Sequence, residues 1–254
     1  MPPFAPPRVV LFDLDDTLFD HASAARAALR GVHGAHSGFA ARAFDEFEVE
    51  HAGQLEDLHR RVIAGELSVD DARLERFRRL FAAAGVAADD NRLQQTAMHY
   101  RRAYLDARGP VAGARELLAA LERHVRIGIV SNNILDEQQQ KLRHLGFDRC
   151  IDALVVSEEA GVSKPDPAIF EIALRRLGAT PGDAVMIGDS WAADVEGARA
   201  AGIRAIWFNR FRRAPPRDHV AGDVASIAAF EPIDMTVEII LGRREAGVGI
   251  ECRA

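Results

Sequence analysis

Val9-Val10-Leu11-Phe12-Asp13-Leu14-Asp15-Asp16-Thr17-Leu18 is the stretch that decides the fold. Its first four residues are continuously apolar, which is typical of a strand covered on both faces of a parallel sheet. Asp13 and Asp15 follow, and because side chains alternate along extended backbone, both point to the same side, roughly 6–7 Å apart. Two buried carboxylates are costly unless they have a function or bind a cation. This end of the strands is also where open α/β sheets bind their ligands. We therefore expect a functional site here, with an acidic turn that caps the next helix as the alternative.

The composition is that of an ordinary soluble globular protein. The 254 residues are 48% hydrophobic and 28% charged, enough for one large α/β domain or a domain with an insert. The net charge of -6 argues against a nucleic-acid surface. Two cysteines, Cys150 and Cys252, favour a reducing compartment over a disulfide framework. Met1–Pro7 lacks a signal-peptide pattern and no apolar stretch reaches about 18 residues, so we expect a cytoplasmic protein without membrane contact.

Lysine is rare in this chain. Lys141 and Lys164 are its only lysines, and all its other basic residues are arginines. A lysine kept in such a chain indicates a need for a compact point charge, with chance retention as the alternative.

The hydrophobic pattern divides the chain into two kinds of structure. Residues 20–108 show helical spacing without a strand signal, which predicts an all-helical insert of about four helices. After Gly109-Pro110, apolar strands alternate with helices, one of them expected over 192–201, and this alternation predicts a doubly wound parallel, Rossmann-like α/β sheet. We thus expect an α/β core from residues 1–19 and 109–245, a helical cap over 20–108 inserted after the first strand, and a flexible tail over 246–254. Within 214–242 we expect one more strand and a terminal helix.

Polar residues follow the carboxyl ends of several predicted strands, where their loops can converge. They are Asp13 and Asp15, Ser131-Asn132, Lys164-Pro165, and Gly188-Asp189 with Asp194. Four carboxylates in one cleft would repel unless they are neutralised, and Lys164 supplies only one positive charge. Metal ligands that are all oxygens point to Mg²⁺. With the positive charges of Mg²⁺ and Lys164, the site would then suit an incoming phosphate dianion. The alternatives are helix capping by Ser131 or by the last two aspartates, and a solvated loop position for Lys164.

Asp13-Leu14-Asp15-Asp16-Thr17-Leu18 resembles the first motif, Asp-x-Asp-x-Thr, of the haloacid dehalogenase (HAD) superfamily. The other three groups resemble its remaining motifs in order, the last as Gly-Asp-x-x-x-x-Asp. This resemblance implies an HAD-like catalytic core and Mg²⁺-dependent phosphomonoester hydrolysis through an aspartyl-phosphate. By this resemblance, Asp13 is the nucleophile and Asp15 the general acid and base. Phosphate is bound by Ser131, the Asn132 backbone N–H and Lys164. The metal is bound by the Asp13 carboxylate, the Asp15 backbone carbonyl and Asp189, and Asp194 orients water or Lys164.

Within the phosphatases of this superfamily, residues 156–167 look most like the subgroup of pyrimidine 5′-nucleotidases and N-acylneuraminate-9-phosphatases. The resemblance implies a small phosphorylated metabolite as substrate, a nucleoside monophosphate or a sugar phosphate. The first alternative is a 2-haloacid dehalogenase that cleaves a carbon–halide bond, but those relatives lack the acid that Asp15 supplies and need no metal. The second, of another class, is a catalytically inactive binding module. The sequence carries no signal for an oligomeric state.

Four further residues near these motifs are expected to have structural roles. Trp191 should pack in the core, with stacking on a substrate as the alternative. Arg210, Arg212 and Arg213 should form a solvated basic loop, with contact to substrate or a partner subunit as the alternative. The second motif has Asn133 where many relatives have glycine, so its loop should differ from theirs.

Overall fold

The computed structural model describes residues 6–216 and 224–244, which are built around a six-stranded sheet. Its strands are β1 (Val9–Phe12), β2 (Arg126–Ser131), β3 (Ala153–Val156), β4 (Ala184–Gly188), β5 (Arg204–Phe208) and β6 (Ala225–Ile227). They lie in the order β3-β2-β1-β4-β5-β6, and every neighbouring pair is parallel. The predicted α/β parallel sheet is therefore confirmed. The strand order reverses at β1, where open α/β sheets form their ligand crevice.

β1 is buried on both faces. All four of its side chains are fully inaccessible, as its unbroken apolar sequence predicts. Val9 is aligned with Arg126 of β2 and with Ala184 of β4, so β1 has a hydrogen-bonded partner on each side. The Asp13 backbone N–H continues the ladder by donating to the Ile187 carbonyl at 2.9 Å. This pairing fixes the backbone at the point where the acidic residues begin.

The described residues form two compact units, one of them Asp20–Gly109 and the other the described residues before and after it. The first is all-helical in the structure, and its helices are α1 (His21–Ala35), α2 (Ser37–Ala40), α3 (Phe44–Ile63), α4 (Val69–Ala83) and α5 (Asp90–Asp106). Phe39 lies at its centre, with its ring 4.7 Å from that of Phe47 and 4.5 Å from that of Phe81. Ser68 and Asp89 cap α4 and α5 by accepting backbone N–H groups of the first turn.

Six helices accompany the sheet in the described part of the second unit. They are α6 (Ala114–Leu121), α7 (Leu135–Leu145), α8 (Ser157–Ala160), α9 (Pro167–Arg176), α10 (Gly197–Ala200) and α11 (Ile233–Ile240). On one face of the sheet, Val9 and Leu11 belong to a buried cluster with Phe170 of α9 and Ala198 of α10. None of the helices within the described ranges is long and apolar enough to cross a membrane.

The helical unit has five helices where about four were expected, and the structure also departs from the predicted elements near the carboxyl end of β4. The helix predicted from residue 192 begins as a π-helical turn, Trp191–Glu196, and only then becomes α10. Within that turn the Val195 N–H donates to the Ser190 carbonyl five residues back, at 3.3 Å. β6 and α11 supply the strand and helix expected within 214–242. The predicted tail over 246–254 lies outside the described residues.

Candidate active site

A buried lysine joins two of the predicted aspartates. Lys164 Nζ donates to Asp13 Oδ1 at 2.7 Å, to Asp194 Oδ1 at 2.6 Å and to the Val130 carbonyl at 2.7 Å. An ammonium group has three donors, and these contacts use all of them. Because only 2% of the Lys164 side chain is exposed, this complete set of acceptors is what makes its burial tolerable. Burial alone would lower the pKa of Lys164, but the charges of Asp13 and Asp194 together outweigh it and raise this pKa, so the lysine stays charged.

Asp194 reaches the lysine because β4 ends in glycine. A Cβ on Gly188 would lie 2.3 Å from Asp194 Cγ, closer than carbon atoms can approach. The other carboxylate oxygen, Asp194 Oδ2, accepts the Ser190 backbone N–H at 2.9 Å. The glycine and the π-helical turn together fix Asp194, which is 1% exposed, beneath the end of the strand.

Three carboxylates lie close together, from Asp13, Asp189 and Asp194, with one oxygen of each within 4.8 Å of the others. Burial, reinforced by Asp194 and Asp189, raises the pKa of Asp13 despite the opposing effect of Lys164. Burial, followed by the charges of Asp194 and Asp16, raises the pKa of Asp189 to about 7. Lys164 contacts the carboxylates of Asp13 and Asp194 but not that of Asp189. A divalent cation with oxygen ligands fits this donor set and would offset its remaining negative charge.

Asp189 is held at its backbone on both sides. Its N–H donates to Thr17 Oγ1 at 3.2 Å, and its carbonyl accepts from Trp207 Nε1 at 2.9 Å. The fully buried Thr17 thus has a structural task in the site that the sequence did not assign. Trp191 packs edge-on against Trp207, with ring centroids 5.1 Å apart, in agreement with the expected packing role.

The basic loop after β5 is not merely solvated. Arg213 Nη1 lies 3.5 Å from Asp189 Oδ2, although more than half of the Arg213 side chain is exposed. Arg210 Nη1 lies 3.7 Å from Asp16 Oδ1, and both of these side chains are mostly buried. The expectation of a solvated loop was therefore wrong for Arg210, which is mostly buried, whereas Arg213 is exposed as expected and has an acidic neighbour from the site. Arg212 is exposed.

The Asp15 carboxylate has a different environment from the three clustered aspartates. Lys141 Nζ donates to its two oxygens at 2.6 and 2.8 Å. Gln138 Nε2 and Asn133 Nδ2 donate to Oδ2 at 2.9 and 3.1 Å. The four sequence motifs include neither Lys141 nor Gln138. Lysine rarity was the available signal for Lys141, and nothing in the sequence distinguished Gln138.

The second motif lies beside these groups. Ser131 Oγ accepts from Gln138 Nε2 at 2.6 Å. The Asn132 side chain makes a reciprocal pair with the backbone of Lys164: Nδ2 donates to the Lys164 carbonyl at 2.8 Å, and Oδ1 accepts its N–H at 2.7 Å. The side chain of Asn132 therefore fixes the loop that carries Lys164, in addition to the role predicted for its backbone N–H.

Comparison with known proteins identifies the family. Residues 7–202 match the family model described as haloacid dehalogenase-like hydrolase. The chain is 32% identical over 227 residues to a phosphoserine phosphatase of Thermus thermophilus, covering 80% of this chain and 89% of that protein. It is 38% identical over 108 residues to the pyrimidine 5′-nucleotidase YjjG of Escherichia coli, covering 42% and 48%. The solved structure of YfnB from Bacillus subtilis has the same fold, with a TM-score of 0.71 at 24% identity over 92% of this chain and all of that one. The four motifs and the length of these matches lead to one conclusion: this chain belongs to the haloacid dehalogenase-like hydrolases.

Proposed function

We propose that this hydrolase cleaves phosphomonoesters of small metabolites with the help of Mg²⁺. The observation that carries the proposal is the buried pair of Asp13 and Lys164 at the carboxyl end of β1, with Asp189 and Asp194 beside it. This arrangement offers a carboxylate nucleophile, a fixed positive charge and oxygen ligands for a cation. The two relatives named above act on phosphoserine and on pyrimidine 5′-nucleotides, both small phosphomonoesters.

The oxygen ligands suit a hard divalent cation. We expect the Asp13 carboxylate, the Asp15 backbone carbonyl and Asp189 to hold Mg²⁺, with Asp194 acting on the site through Lys164. When bound, Mg²⁺ supplies positive charge that offsets the carboxylates and the phosphate oxygens. Burial and neighbouring acids raise the pKa values of Asp13 and Asp189, and a cation would favour their ionised forms.

The reaction that we propose has two steps on Asp13. A carboxylate oxygen of Asp13 attacks phosphorus, the bond from phosphorus to the ester oxygen breaks, and the departing oxygen takes a proton from Asp15. Water then attacks phosphorus, gives its proton to Asp15, and releases inorganic phosphate and the free Asp13 carboxylate. Ser131 and the Asn132 backbone N–H would hold phosphate oxygens, and Lys164 would offset charge on the group in transfer.

The dehalogenase alternative uses the same nucleophile on a carbon–halide bond. Such an enzyme needs neither an acid two residues after the nucleophile nor a cation. This chain has Asp15 at that place, and the Asp15 carboxylate accepts hydrogen bonds from three side chains. The inactive binding module, the other alternative, would not need an acid–base residue at all. Asp15 therefore favours the phosphatase over both.

The test is hydrolysis of p-nitrophenyl phosphate and of a panel of metabolite phosphates, with Mg²⁺ and after chelation with EDTA. We expect activity that EDTA abolishes and Mg²⁺ restores. Asp13→Asn should lower kcat by far more than tenfold, because an amide is not a nucleophile, whereas Asp234→Asn, at an exposed position of α11, should keep wild-type activity. Retention of more than about a tenth of kcat by Asp13→Asn, a barrier change under ~1.4 kcal/mol, would refute the nucleophile assignment. Release of halide from 2-chloropropionate without metal would favour the dehalogenase.

We further infer that residues 20–108, the predicted cap, govern substrate choice. The inference rests on their insertion between the strand that carries the nucleophile and the next core helix, and on the absence of lysine from them, which excludes a Schiff-base chemistry of their own. Replacing them with a short Gly-Ser linker should lower discrimination among esters more than it lowers hydrolysis of p-nitrophenyl phosphate. A folded linker variant that ranks the esters as the full chain does would show that these residues do not select the substrate.

A further inference from the structure

Gln138 and Lys141 point from α7 towards Asp15. They are three residues apart, so they lie on the same face of the helix. Gln138 is fully inaccessible and Lys141 is 4% exposed, which is unusual for side chains of these types. Lys141 Nζ contacts both oxygens of Asp15, at 2.6 and 2.8 Å. A two-oxygen contact fixes the rotation of a carboxylate, whereas contact with one oxygen leaves it free to turn.

Gln138 joins Asp15 to the second motif. Its Nε2 donates one hydrogen to Asp15 Oδ2 at 2.9 Å and the other to Ser131 Oγ at 2.6 Å. The opposite assignment of the amide would place Oε1 against a carboxylate oxygen, so the contact with Asp15 fixes which atom is the nitrogen. Because Ser131 Oγ accepts from Gln138, its own hydrogen is directed elsewhere. Ser131 is thereby prepared to donate to an anion.

We propose that Gln138 and Lys141 are positioning residues: they orient the carboxylate of Asp15 for proton transfer and the hydroxyl of Ser131 for donation to phosphate. The proposal rests on the phosphatase function proposed above and adds to it two residues that act through others. A purely structural role would be different, since the pair would then only anchor α7 to the sheet. The two roles differ in how their loss combines with the loss of Asp15.

A double-mutant cycle on Lys141 and Asp15 separates these roles. With an alkyl phosphate such as glycerol phosphate, Lys141→Met should lower kcat/KM by about 10–100-fold, the loss typical when a partner that orients a site residue is removed. In an Asp15→Asn background the same change should cost less than about 2-fold, because the carboxylate that it orients is gone. Independent losses that multiply across the cycle would refute a role through Asp15.

The leaving group provides a second readout. kcat/KM includes every step through departure of the alcohol, and an alkyl oxygen needs a proton to depart whereas p-nitrophenolate does not. Lys141→Met should therefore lower kcat/KM for the alkyl ester at least about 10-fold more than for p-nitrophenyl phosphate. Equal losses for the two esters would contradict the proposal. Arg143→Met, which removes an exposed cation from the same helix, is the matched control and should leave both values unchanged.

Gln138 keeps the proposal testable if the lysine variant does not fold. Gln138→Leu keeps the bulk of the side chain and removes both donors, so it should lower kcat/KM for the alkyl ester and raise KM for both esters through Ser131. A folded Gln138→Leu enzyme with wild-type kcat/KM and KM for both esters would refute the role of Gln138. If the wild-type enzyme hydrolyses phosphate esters and Asp13→Asn abolishes this, the proposed function stands whatever the outcome at α7. If the wild-type enzyme hydrolyses none, the function itself fails.

Discussion

Protonation of Asp189 should decide how much a divalent cation stabilises this protein. Burial and the charges of Asp194 and Asp16 raise the pKa of Asp189 to about 7, from a usual value of 3.8. At about 1.4 kcal/mol for each pH unit, the difference of about 7 minus 3.8 corresponds to roughly 4 kcal/mol. When no cation is bound, ionisation of Asp189 should reduce the free energy of unfolding by this amount, to an order of magnitude.

The sign follows from which state binds the proton more tightly. The folded protein holds the Asp189 proton up to about pH 7, whereas the unfolded chain releases it near pH 3.8. The stability contributed by the protonated form is therefore complete below about pH 4 and is lost as the pH rises to about 7. A cation bound to the ionised Asp189 carboxylate should restore this lost stability. The increase in stability on adding Mg²⁺ should thus be larger at about pH 8 than at about pH 5.

Urea denaturation followed by circular dichroism measures this effect, in EDTA and in Mg²⁺ at each pH. Asp189→Asn removes the titration while keeping the size of the side chain, so in EDTA its free energy of unfolding should fall less than that of the wild type between the two pH values. All other titrating groups are the same in the variant and the wild type, so the difference between the two proteins isolates the effect of Asp189. An equal Mg²⁺-induced gain at both pH values would refute the reasoning. So would a variant whose stability in EDTA falls as steeply as that of the wild type.

Three further outcomes follow from the described contacts. Lys164→Arg should lower kcat for p-nitrophenyl phosphate by about 100-fold or more, because a planar guanidinium cannot replace an ammonium that donates in three directions. Near-normal kinetics would show that a point charge is not required. Gly188→Ala should abolish most activity in a protein that still folds, since its Cβ would displace Asp194, and Ala200→Gly in α10 is a control that should not. Arg76 is buried over the Tyr100 ring with no carboxylate partner among the described residues. Arg76→Met should therefore leave the free energy of unfolding in urea denaturation unchanged or raise it by about 1–2 kcal/mol. A loss of more than about 2 kcal/mol would mean that the contact with the ring outweighs the cost of desolvating the guanidinium.

The sequence was sufficient to predict the parts of the site that continue a strand. β1 has a strong local signal, four apolar residues followed by acids, and the alternation after Pro110 supplied the sheet that aligns the other motifs. Lys164 was singled out by the rarity of its residue type and lies, as a buried residue, between Asp13 and Asp194. Such residues could be found because strand ends in a parallel sheet have one common edge.

The contacts of Asp15 could not be predicted in this way. Leu142 and Leu145 show which face of α7 is buried, and Gln138 and Lys141 lie on that same face. A polar residue on an apolar face is ordinarily a boundary position, and periodicity does not state what lies opposite it. Only the tertiary structure shows that the opposite group is a carboxylate more than a hundred residues earlier.

The π-helical turn after β4 was missed for a related reason. Local propensity predicted a regular helix from residue 192, and the five-residue hydrogen bond from Val195 to Ser190 carries no signal of its own. This π-helical turn accompanies two contacts of Asp194, one with Lys164 and one with the Ser190 N–H, and both contacts depend on the tertiary fold.

The position of β1 in the sheet also has a consequence for the order in which the protein acquires its structure. Its partners begin at Arg126 and Ala184, so the first strand to be synthesised cannot be enclosed until most of the chain exists. Contacts this distant in sequence form slowly, whereas those within Asp20–Gly109, including the packing of α1 against α5, join residues that are closer together in the chain. In pulsed hydrogen exchange during refolding, amides of α1 and α5 should become protected before those of Val10 and Leu11. The nucleophile would then be assembled last, when the strand that carries it is enclosed between two neighbours.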